Sequence, residues 1–126
     1  MAESIITNTA RQKTVRARAG LATLPKAAAI ALGDGASDGT TVREPLPTDT
    51  ALQHEIYRKD NIVAEIAEDG LSASYIVELE RETLAGQNIN EIGLFDEDGD
   101  PIALKSFMNK GKDGDMEMVF EITDKF

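Results

Sequence analysis

"EIGLFDEDGDPIALKSF", Glu91 to Phe107, decides how this chain is to be read. Four carboxylates, Asp96, Glu97, Asp98 and Asp100, crowd between two apolar runs. Two readings compete. A calcium loop of the EF-hand kind places acids at its positions 1, 3 and 5, glycine at 6 and a bidentate glutamate at 12. Counted from Asp96 the three acids are in place, but Gly99 falls at position 4 and Phe107 at position 12. The ligand that would close the coordination shell is missing. A hairpin needs only a type I turn followed by a left-handed glycine, and Asp-Glu-Asp-Gly supplies both. The stretch therefore predicts strand, turn, strand, with no metal bound.

Further strands are expected on both sides of this hairpin. "NIVAEIA" and "ASYIVELE" are rich in β-branched residues or alternate, and "EDG" at 68–70 links them with turn chemistry. "RETLAGQN" reads as a connection with a helical turn, and "NKGKDGD" as a loop. "MEMVFEI" reads as a strand with Met116, Met118 and Phe120 on one face and Val119 and Ile122 towards the other. All four Phe residues lie after position 94, which assigns the main core to the C-terminal strands.

The N-terminal part reads differently. Thr7, Asn8 and Thr9 offer N-cap oxygens, and Gly20 suits the position just past a helix end. The helix between them is thinly apolar, with Ala10, Val15, Ala17 and Ala19, so another surface must hold it. Propensity makes "KAAAIAL" helical, and a buried strand fits it equally. Gly33 to Gly39 is loop, and Pro45 and Pro47 keep the next segment extended. "PTDTALQHEIYR" reads as a second short helix, capped by Thr48 or Asp49, with Leu52 and Ile56 on one face. The expected architecture is α+β: short N-terminal helices packed on a C-terminal, mainly antiparallel β-sheet or sandwich. At 126 residues it forms one domain, 1–126.

Composition narrows the function. There is no Cys, so neither a disulfide nor a thiolate metal site contributes, as suits a reducing compartment. The opening residues lack the apolar core of a secretory signal, and no run approaches the ~20 residues of a membrane helix. A soluble chain without a standard export signal is expected. The net charge of -10 excludes general nucleic-acid binding. Its distribution is uneven. Arg11, Lys13, Arg16, Arg18 and Lys26 make the opening segment basic against a single Glu3, while most acids follow residue 64. Arg11, Lys13, Arg16 and Arg18 are the candidate docking residues, for an acidic partner surface or a neighbouring copy. A solvated helix face is the plainer reading of the same row.

No catalytic constellation emerges. "GDGASDG" resembles a phosphate loop, but "TTVREPLP" follows where a helix would have to open. His54 is the sole histidine and pairs with no serine elbow. Glu78, Glu80 and Glu82 read as the polar face of a strand and its exit. No cofactor is expected, and the chain is not expected to be an enzyme.

Taken in order, "ITNTARQKTVRARAG", "AIALGDG", "PLPTDTALQHEIYR", "INEIGLFDEDGDPIALKSF" and "DMEMVFEI" resemble the N-terminal domain of phage tail-collar fibre proteins. The similarity runs from Ser4 to Asp124. It implies a structural component of a phage or prophage tail that anchors a fibre to the baseplate. The implied partners are baseplate or other tail proteins and further copies of the chain, a trimer first, with neither nucleic acid nor membrane. The implied location is the virion tail, after synthesis in the bacterial cytoplasm. The family's shaft and receptor-binding tip have no counterpart in these residues. The alternative is a small carbohydrate- or calcium-binding β-rich module. Sugar sites favour exposed aromatics, and the chain has no Trp and only Tyr57 and Tyr75.

Overall fold

The described residues of the computed structural model are 4–125. In chain order their elements are β1 (Ile5–Ile6), α1 (Asn8–Arg18), β2 (Ala27–Gly33), β3 (Glu55–Asp60), β4 (Ala64–Ile66), β5 (Ser72–Leu79), β6 (Asn88–Asp96), β7 (Pro101–Gly111) and β8 (Met118–Lys125). Five strands form one antiparallel sheet in the order β1-β7-β6-β2-β3, and three form a second in the order β4-β5-β8. The inner faces meet in a sandwich core. Ile30 and Leu32 of β2, Val77 and Leu79 of β5, Ile92 and Leu94 of β6, and Phe120 and Ile122 of β8 are buried there. Phe107 of β7 stacks on Phe120 across the two sheets, ring centroids 5.8 Å apart.

The acidic stretch is a hairpin turn, as its residue order implies. The Gly99 N–H donates to the Asp96 carbonyl at 2.9 Å, and the Asp96 N–H donates to the Asp100 carbonyl at 2.9 Å. Gly99 takes φ +88°, the left-handed conformation that closes a type I turn into a bulged hairpin.

The expected α+β class is overturned. About 46% of the described residues are in strands or β-bridges and 9% in helix, and α1 is the only helix among them. The second helix fails for a long-range reason. Oε1 of Glu91 accepts the Gln53 N–H at 2.8 Å, and Oε2 accepts the His54 N–H at 2.9 Å. Those donors would otherwise serve a helix. Residues from Glu55 onward then pair with β2 as an edge strand.

"KAAAIAL" becomes β2, between β3 and β6. Ala29 to Leu32 are all buried, because β2 is covered on both faces. Its apolar run therefore lacks alternation, and propensity misread it. The core is accordingly not confined to the C-terminal strands. Two further corrections follow from strand geometry. Ile122 shares the inward face with Phe120, as residues two apart must, while Val119 points outward and is exposed. Asn109 to Gly111 extend β7 into the expected loop.

Ser4, just before β1, and Lys105 of β7 guard the free edge of β8. Ser4 Oγ donates to the Thr123 carbonyl at 2.6 Å, and Lys105 Nζ to the Glu121 carbonyl at 2.8 Å. A bare edge would be a template for pairing with another chain.

Candidate functional site

The helix α1 crosses the end of the sandwich that carries the 96–100 hairpin. Its start is built by Thr7, whose Oγ1 accepts the Ala10 N–H at 3.1 Å and donates to the Pro101 carbonyl at 2.5 Å. One buried hydroxyl thus caps the helix and ties it to β7. The end is a Schellman motif: Gly20 has φ +76°, its N–H reaches the Ala17 carbonyl, and the Leu21 N–H reaches the Arg16 carbonyl. Both helix boundaries match those expected from the residues. The helix has no buried residue of its own.

What holds it is Lys13. Its Nζ lies 2.7 Å from Asp96 Oδ2, 3.1 Å from Asp98 Oδ2 and 2.7 Å from Asp100 Oδ2. The acidic hairpin therefore does face a cation, and that cation is the chain's own ammonium. Asp96 is buried, and its Oδ1 accepts the N–H groups of Asp98 and Asp100. Partial burial disfavours the Lys13 ammonium, but the hydrogen bonds it donates to Asp100, Asp96 and Asp98 outweigh it and raise its pKa above the ordinary lysine range.

Of the four expected docking residues, Lys13 is thus turned inward to the hairpin. Arg11, Arg16 and Arg18 are exposed, and no carboxylate pairs with them among the described residues. Arg16 and Arg18 lie in the last turn, where their charge also complements the helix dipole.

Beside the helix runs a groove of about 570 Å³. Ile6, Ala27, Ile102 and Tyr75 give it apolar walls, and Arg11 and Arg18 stand on the helix side. Asp124 lies in it with a buried Oδ1 that has no hydrogen-bond partner among the described residues. Burial pushes the Asp124 carboxyl up, and burial together with the Asp124 charge pushes the Tyr75 phenol up. Tyr75 and Asp124 escaped the sequence reading. Their strand parity places both on the inward face, and the fold brings that end of the smaller sheet beside α1, where both line the groove.

The other candidates are structural. The expected loop begins at Asp34, since Gly33 ends β2; Asp38 accepts the Thr41 and Thr40 N–H groups, which pull its pKa down to about 2. His54 Nδ1 lies 2.5 Å from Asp34 Oδ1, closing a ring between the two ends of the 34–54 connection. Glu78, Glu80 and Glu82 are exposed at the opposite end of the smaller sheet.

The sequence model of the phage tail-collar fibre protein N-terminal family matches residues 1–118. No curated protein and no solved structure matches the chain. The chain belongs to the phage tail-collar fibre family, N-terminal part, and has a structural role in a phage tail.

Proposed function

We propose that this member of the tail-collar fibre family anchors a tail fibre to the baseplate, as one attachment domain over residues 1–126, and that Arg11, Arg16 and Arg18 of α1 form its docking face. The observation that carries the reading is the division of labour on one short helix. Lys13 is consumed in fixing the helix to the hairpin, while the three arginines are exposed and have no carboxylate partner among the described residues. A helix without a buried residue costs stability unless something fixes it. Fixing it by an ion cluster leaves the rest of its surface for a partner. The partner is an acidic surface of a baseplate or other tail protein, met in the virion tail after cytoplasmic synthesis. Copies assemble as trimers, and the role is non-catalytic.

The test is capture from a phage lysate at low and at high salt, with captured proteins identified by mass spectrometry. The parent chain should retain a baseplate or tail component at low salt and lose it at high salt. The Arg16→Glu, Arg18→Glu double variant should fold and lose it at both. Equal capture by the double variant at low salt would make the helix a solvated face.

A further inference from the structure

The two ends of the sandwich differ in charge and in relief. The groove end carries Arg11 and Arg18 over apolar walls, with exposed Val15 and Leu24 at its margin. The other end is set by the connections 80–87 and 112–117, which meet where the Gly86 N–H donates to the Lys112 carbonyl at 2.7 Å. The nine residues of β6 separate these ends by roughly 30 Å, at ~3.4 Å per residue. At the far end a shallow depression is lined by Glu80, Glu82 and Glu117, with Arg81 as its cation. Met116 stands exposed beside Glu117.

We infer that this chain associates head to tail with a second copy of itself, the acidic end of one copy seating in the basic apolar groove of the next. The inference rests on the reading of α1 as a docking face and names a second occupant for its groove side. Three features match in kind. Glu80, Glu82 and Glu117 meet Arg11 and Arg18. Met116 supplies an apolar side chain for the groove walls. Arg81, the cation among those acids, complements Asp124, whose buried oxygen has no hydrogen bond among the described residues. A groove facing a groove would bring like charges together, so a symmetric contact through this surface is disfavoured. Head-to-tail contacts are heterologous, and a threefold rotation between copies closes them into a ring of three, so this contact is the one that builds the trimer.

The experiment is sedimentation velocity on the purified chain at low and at high salt. It compares the parent, an Arg11→Glu, Arg18→Glu variant, a Glu80→Lys, Glu82→Lys, Glu117→Lys variant, and an equimolar mixture of the two. The altered residues are exposed, and circular dichroism with a melting curve confirms that each variant folds. The parent should sediment above its 13.6 kDa monomer at low salt and fall to monomer at high salt. Each variant alone should stay monomeric, since its groove and far end then repel. The mixture should reassociate, because each altered surface finds its complement. A parent that is monomeric at every concentration, a variant that still associates alone, or a mixture that stays monomeric would each overturn the inference. The lysine variant should still capture tail components from lysate, which separates failure here from failure of the anchoring reading.

Discussion

Lys13 Nζ lies 2.7 Å from Asp96 Oδ2, although 83 positions separate the two residues in the chain. This contact joins the only described helix to the tip of the central hairpin. Lys13→Met keeps the length of the side chain and removes the charge. It should lower stability by about 2 kcal/mol, the scale of hydrogen bonds to charged groups. It should also speed amide exchange across residues 8–18 more than elsewhere. Unchanged exchange in that helix would show that the ammonium is no tether. The pH sign follows from the raised Lys13 pKa. Its contribution is fully present below the ordinary value of 10.5 and is lost only as pH rises through the higher folded value.

Gly99 and Gly93 should fail for different reasons. At Gly99 a new Cβ meets nothing within 4 Å, so Gly99→Ala costs only the left-handed backbone, about 1 kcal/mol. At Gly93 the Cβ would fall 2.6 Å from Cε1 of Phe95 and 3.1 Å from Cδ2 of Leu104. The Phe95 ring is itself pinned, with the Arg58 guanidinium 4.5 Å from its centroid. Gly93→Ala should therefore cost more, about 1–3 kcal/mol for overpacking. Urea denaturation of the two variants checks the order, and a milder effect at Gly93 would contradict it.

His54 is the only histidine, so its titration can be followed without assignment. The hydrogen bond His54 donates to the Asp34 carboxylate, aided by that charge, raises the His54 pKa above 6.5. Stability from this pair is fully present below pH 6.5 and fades as pH climbs through the raised value. Proton NMR should show a midpoint above 6.5 in the parent and a lower one in Asp34→Asn. An identical midpoint in both would rule out the pairing in solution.

Glu91 should be sensitive to a single-atom change. Its carboxylate accepts N–H groups of Gly35, Gln53 and His54 at 2.8–3.0 Å while itself buried. Glu91→Gln turns one acceptor oxygen into a donor facing backbone N–H groups. The expected cost is about 1–3 kcal/mol, the penalty of an unsatisfied buried group. Amide exchange at Gly35, Gln53 or His54 should quicken. Normal protection at all three would show that the carboxylate is dispensable.

Local chemistry was legible wherever it decided the outcome. Thr7 and Gly20 bound the helix, and Asp96 to Gly99 spell their own turn, because caps and tight turns depend on residues a few positions apart. Strands β5, β6 and β7 were legible from alternation and β-branched content. Residues 48–60 were not legible. Their helical propensity is real but weak, and Glu91 together with β2 offers their backbone better partners from far along the chain.

The candidate site divides in the same way. The basic row Arg11, Lys13, Arg16 and Arg18 is plain in the sequence, yet nothing in it says that one of the four faces inward. By itself the sequence determined the helix ends, the acidic hairpin, the strand-rich C-terminal half and the family. Each of these is set by neighbouring residues or by their order. Only the tertiary structure decided that three carboxylates converge on Lys13, that Ala29 to Leu32 form a strand between β3 and β6, and that Tyr75 and Asp124 line a groove. Those outcomes depend on which strands pair and how the two sheets stack. Pairing is chosen by the sum of burial and hydrogen bonding over the whole fold, and no local window of sequence contains that sum.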